Sequence, residues 1–135
     1  MIRIGKWAAV VITATVGVTV LPAAAQANDG YLKAYQDINF NDYTYARPAA
    51  WGGNSTDWRD RGIRNEASSI WNDGWLGPLD DVLLYWGIGW GGASFCLPNG
   101  DSLRNMTLDH FPYNGNGAGA PLNDNVASHK WVESC

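Results

Sequence analysis

Few side chains in this 135-residue chain have the types and spacing that do acid–base or nucleophilic chemistry. His110 and His129 are its two histidines, and they fall in neither His-Glu-x-x-His nor any other metal-ligand spacing. Ser128-His129 sets a nucleophile beside a base, but neighbours in a strand point to opposite faces and cannot hydrogen-bond as a pair. Gly-x-Ser-x-Gly is absent, as is a glycine loop for phosphate. The 13 carboxylates are scattered along the chain, which reads as a solvated surface. These patterns point to a non-enzyme. The remaining reactive pair, Cys96 and Cys135, reads as a Cys96–Cys135 disulfide if the chain is exported, with a free thiol as the alternative.

Export is what the first segment implies. Arg3 and Lys6 form a short cationic region, and residues 7–21 are uncharged and apolar. Pro22 and the small residues 23–27 then supply an Ala-x-Ala cleavage signal. A signal peptide over 1–27 is expected, cleaved after Ala27 or alternatively after Ala25. A secreted, extracellular domain over 28–135 remains, with no stable membrane insertion of the mature chain. At that size it buries enough surface to fold as one domain without a metal, and a monomer is expected. Its 13 acidic residues face the seven cations left from nine once Arg3 and Lys6 are set aside, a net charge of −6. Nucleic acid is therefore not an expected partner, since phosphate binders concentrate Lys and Arg.

The elements that must position any site are strands. Residues 31–35 and 43–46 alternate apolar and polar and read as a hairpin about the Asn41-Asp42 turn. Residues 48–54 read as loop, 55–61 as a short helical turn, 67–71 as a strand and 72–74 as a turn. In the second half, 82–86 and 93–97 read as strands around a glycine-rich turn at 87–92. Pro98-Asn99-Gly100-Asp101 is a turn, 113–125 a surface loop rich in Gly and Asn, and 126–132 the last strand. No long 3.6-residue period appears, so the fold class is all-β. Two signals recur at a spacing of about fifty residues, which means one unit used twice. Tyr35, Phe40 and Asp42 answer Tyr85, Trp90 and Gly92. Arg64-Asn65-Glu66-Ala67-Ser68-Ser69 answers Asn123-Asp124-Asn125-Val126-Ala127-Ser128.

These repeats resemble the βγ-crystallin Greek-key signature: an aromatic, four residues, an aromatic, one residue and Gly, with a later Asn/Asp-Asn/Asp-x-x-Ser/Thr-Ser turn. The resemblance implies a Greek-key β-sandwich of two tandem motifs, about 31–78 and 79–135. Asp42 stands where Gly is usual, and Asp tolerates the left-handed conformation expected there. Within that superfamily, the export signal and the stretches 64–72 and 123–131 look closest to bacterial secreted proteins of peptidase inhibitor family 36, the metalloproteinase-inhibitor type. That resemblance implies an extracellular proteinase as partner.

The resemblance also raises calcium, which needs hard oxygen ligands from this turn. Ser68 keeps the hydroxyl of the first turn, but Arg64 places a cation at its leading position. Asn123 and Asp124 keep the second turn's leading oxygens, but Ala127 replaces its hydroxyl. Each motif thus departs from the binding pattern once, and no cofactor is required. For the inhibitor, a rigid extended segment is needed. Cys96, Leu97 and Pro98 are the candidate protease contact, Leu97 offering the bulky apolar side chain that thermolysin-like enzymes prefer after the cut bond. Phe95 and Leu97 as core-facing strand residues are the competing and stronger account. The 113–125 loop is a second, floppier candidate. A carbohydrate-binding module is the other reading: of seven tryptophans in 28–135, Trp51, Trp58 and Trp75 lie in expected loops, where indoles form sugar platforms.

Overall fold

The structure is a computed structural model describing residues 28–135, together with Gly17. Apart from Gly17, the expected signal peptide lies outside the described residues. Among the described residues seven short strands form two antiparallel sheets: β1 (Tyr31–Tyr35), β2 (Ala49–Trp51), β3 (Ser69–Asp73), β4 (Asp81–Tyr85), β5 (Ser94–Leu97), β6 (Ser102–Leu103) and β7 (Ser128–Val132). One sheet runs β2-β1-β3-β6 and the other β5-β4-β7. Among the described residues no helix is long and apolar enough to cross a membrane.

The strand period decides which side chains meet between the sheets. Leu32 and Ala34 of β1, Ile70 of β3, Val82 and Leu84 of β4 and Leu97 of β5 turn inward at alternate positions and are buried. Trp58, Met106, Phe111 and Leu122 close the same core from the connections.

The halves are tied to each other through their sheets. β6 belongs to the second half by sequence but pairs with β3 of the first, Ile70 opposite Leu103 and Trp71 opposite Ser102. In return Ser55 of the first half bridges His129 in β7, the two backbones trading hydrogen bonds of 3.2 and 3.0 Å. Neither half therefore completes its own sheet.

A buried serine pins each fold-over turn. Ser69 Oγ donates to the Asp37 carbonyl at 2.6 Å and accepts from Phe40 N at 3.0 Å. Ser128 Oγ does the same for the Gly87 carbonyl at 2.6 Å and Trp90 N at 3.2 Å. The last residue of the repeated Asn/Asp-Ser signal thus fastens the aromatic turn of its own half.

Several sequence expectations shift here. Residues 43–46 form no strand: Asn41 takes the chain round instead, its side chain bonding Asp37 N and the Ala46 carbonyl, and the return strand starts at Ala49. Tyr43 and Tyr45 are left exposed. Asp42 needs no left-handed backbone (φ −55°), because Asn39, Phe40 and Asn41 carry the positive φ values. Asn72 and Asp73 lie in β3 rather than in a turn. The 113–125 segment is fastened rather than loose: Asn116 O accepts from Ala93 N at 2.7 Å, Gly119 N donates to Phe111 O at 2.8 Å, and Leu122 is buried. Its Gly117 lies flat on the Trp86 ring, where a Cβ would come within 2.4 Å of the indole.

Candidate functional site

The two repeated turns meet. Each puts one residue in the left-handed region, Asn65 at φ 57° and Asp124 at φ 59°. Asn65 N donates to Val126 O, and Asp124 N donates to Ala67 O, both at 3.0 Å. Each turn is thus held by the other rather than by its own half.

That crossing changes which turn residues share a place. Asn123 N donates to Met106 O at 3.1 Å, and Met106 N donates to Ser68 O at 2.9 Å, which sets Asn123 beside Ser68. On the other side Arg64 and Ala127 line one cleft of about 270 Å³ with Trp86 and Gly87. Both departures from the binding pattern, Arg64 and Ala127, share this cleft, and Arg64 Nη1 pairs with Asp57 Oδ2 at 3.2 Å. Asn123 Oδ1 is buried without a hydrogen-bond partner, whereas Asp124 is exposed. Asn123 Oδ1 is a buried hard oxygen of the kind calcium takes, whereas the side chains of Arg64 and Ala127 offer none.

The structure takes the core-facing account of the 95–97 strand. Leu97 is 1% exposed, opposite Val82 in the register, so its side chain cannot reach a partner. Cys96 is half-buried in its disulfide with Cys135, and Pro98 is exposed. The turn that follows serves as a brace: Asn99 Nδ2 donates to Gly74 O at 2.9 Å, and Asn99 N donates to Asp81 Oδ1 at 2.9 Å.

What Asn99 braces is the connection between the halves, residues 74–80. Asn72 Nδ2 holds its far end through Asp80 O at 2.9 Å, and Asp80 Oδ2 accepts from Gly77 N at 3.1 Å. Gly74 is required at the near end, since a Cβ there would lie 2.6 Å from the Trp131 ring. Between these anchors Trp75, Leu76 and Leu79 stand out, Leu76 at 81% exposed. In the sequence this stretch showed only as the boundary between the two motifs, near residue 78. Its signal was present: two leucines and a tryptophan around Gly77-Pro78, with no strand period to bury them.

The tryptophans divide. Trp51 and Trp58, expected in loops, are buried and stacked, ring centroids 4.8 Å apart. Trp75 is 71% exposed, as the loop reading required. Trp58 Nε1 donates to His129 Nδ1 at 2.8 Å, which leaves His129 Nε2 to donate to Gly53 O at 2.8 Å. Burial pulls His129 down to about 4, against the opposing pull of the Gly53 carbonyl and Asp60. Ser128 and His129 are thus engaged separately, one on a turn and one in the core. His110 is exposed at the mouth of the 113–125 segment, where it bridges Pro121.

No family model matches the chain, and no curated protein matches it. Solved structures do. A βγ-crystallin from Ciona intestinalis aligns at TM-score 0.52 and 17% identity, over 76% of this chain and 99% of that one. A structure described under the evolution of the eye-lens βγ-crystallin domain fold aligns at 0.55 and 20%, over 77% and 86%. A βγ-crystallin from an archaeon aligns at 0.52 and 16%, over 76% and 96%. The chain has the βγ-crystallin-like fold, as the repeats led one to expect.

Proposed function

We propose that this is an exported βγ-crystallin-type domain that inhibits an extracellular peptidase, of the metallopeptidase class. The observation that carries the reading is the 74–80 segment. It is exposed and apolar, and two asparagines of the scaffold, Asn72 and Asn99, hold its ends. A segment braced in this way loses little freedom when a peptidase takes it up, and its ends stay together if the chain is cut. Leu76 supplies the bulky apolar side chain first sought at Leu97. The test is a peptidase panel with thermolysin-class enzymes. Inhibition at micromolar concentration is expected, and Leu76→Asp should weaken it about thirtyfold, the effect of losing one hot-spot contact, with an unchanged melting temperature. No inhibition of any panel member would sink the reading; full inhibition by Leu76→Asp would move the contact elsewhere.

Calcium is the second reading, favoured by the buried, unpartnered Asn123 Oδ1. Asn123 and Ser68 would hold the ion, and a bound cation would tie the two turns more firmly. One equivalent is expected rather than two, because Arg64 and Ala127 occupy the other place. At a hundred times its Kd, calcium would raise stability by about 2.7 kcal/mol. Asn123→Ala sacrifices no hydrogen bond through Oδ1, so it should abolish that gain and leave the metal-free melting temperature unaltered. A wild-type melting curve that ignores millimolar calcium ends this reading.

A further inference from the structure

Beneath the exposed 74–80 segment lies an open cleft of about 300 Å³, the small end of the size range of ligand sites. Its walls are two indoles and the side chain of Leu79. Trp75 lies face-on over Gly30: a Cβ on Gly30 would meet three atoms of the ring system at 2.9, 3.1 and 3.1 Å. Gly30 also has φ +89°, so glycine is needed there on both counts. One face of the Trp75 indole is thereby seated on backbone, and the rest of the side chain is open to solvent. Opposite it, Trp131 is fixed by Nε1 donating to Gly53 O at 3.1 Å and by its ring packing on Gly74.

The lining says what would enter. No charged side chain lines the cleft, so a charged ligand gains nothing there. The floor is Gly52 and Gly53, and a Cβ on Gly53 would meet nothing within 4 Å. Polarity comes from Asn54, whose Oδ1 accepts from Trp131 N at 2.8 Å. Its Nδ2 has no protein partner among the described residues and is free to donate at the rim. A seated indole face, a bare floor and a neutral amide donor match a ring with one apolar face and hydroxyls at its edge. We infer that this cleft binds a neutral β-linked pyranose chain, one ring stacked on Trp75 and a ring hydroxyl or acetamido oxygen accepting from Asn54 Nδ2. This site is separate from the peptidase contact at Leu76, although both belong to one connection.

The test is a titration of the purified protein with soluble cello- and chito-oligosaccharides, followed by tryptophan fluorescence and by NMR shifts of the indole N–H groups. Saturable binding is expected with at least one of them, and comparing the two decides whether an acetamido group is used. Trp75→Ala should weaken binding about tenfold, the scale of one stacking contact. Gly53→Leu fills the cleft at a position with no positive-φ strain and should remove binding while the melting temperature stays near that of the wild type. Leu76→Asp should bind glycan normally, which separates this site from the inhibitory reading. Absence of binding to both glycans, or normal binding by both Trp75→Ala and Gly53→Leu, would overturn the assignment.

Discussion

Reducing the Cys96–Cys135 disulfide is expected to lower the unfolding free energy by about 4 kcal/mol. The bridge spans 39 residues, and opening it returns that loop's closure entropy to the unfolded chain. Domains of this size hold about 5–15 kcal/mol in all, so the loss is a large share. It corresponds to a fall in melting temperature of roughly 15–30 °C. The bridge also ties the residues after β7 back to β5, across the sheet whose middle strand is β4. Asp81 on β4 accepts from Cys135 N at 3.1 Å, so the terminus is fastened twice. Urea unfolding with and without a thiol reductant, and of the Cys96→Ser/Cys135→Ser variant, measures the effect. A midpoint that does not move in either experiment contradicts the argument.

Acidification is expected to cost about 3 kcal/mol through His129 alone. Its folded value is about 4, below the ordinary 6.5 of an unfolded chain, because burial disfavours the charged ring. Between those values the unfolded state binds more protons, so stability rises with pH. The contribution is complete above about pH 6.5, falls away toward pH 4, and changes no further below that. The geometry gives the same sign. Trp58 N–H already points at Nδ1, so a proton there would face a donor instead of an acceptor. Asp29 is the other acid-side group to consider: burial would raise it, but the hydrogen bonds from Lys33 and Tyr31 hold it below 3.8. Its contribution is therefore present above its unfolded value and lost in a lower window, as pH falls through the folded one. Denaturant midpoints of the wild type at pH 7 and pH 4, beside those of His129→Asn, separate the two. A wild-type midpoint that is flat from 7 to 4 would refute the role given to His129.

The parts of this protein that could be read early are those whose signal is local or repeated. Strand alternation over 31–35 located β1, because period two survives wherever one face is buried, and the 82–86 reading located β4. The paired aromatics and the terminal serines Ser69 and Ser128 announced two copies of one unit, since each serine fastens a turn of its own half. Elsewhere local pattern misled. Tyr43 and Tyr45 alternate like a strand, but the Asn41 side chain had already turned the chain away. Trp51 and Trp58 looked like loop tryptophans because polar residues surround them in sequence. Asp60 accepts from Trp51 Nε1, and His129 Nδ1 accepts from Trp58 Nε1, so both indoles are buried with their polar edges satisfied.

By itself the chain's residue order settled an all-β architecture of duplicated units and which serines would close their turns. Tertiary structure alone decided who meets whom. β6 crosses to the other half's sheet, and the two turns bind each other. So Asn123 comes to lie beside Ser68, Arg64 beside Ala127, and Asn99 beneath the 74–80 segment. Leu97 is sunk and Leu76 lifted although both are leucines beside a proline or glycine. The physical reason is that a short-range pattern sets conformation and the inward face. Contacts between residues tens of positions apart are instead set by how two sheets pack, and it is those contacts that built each candidate site.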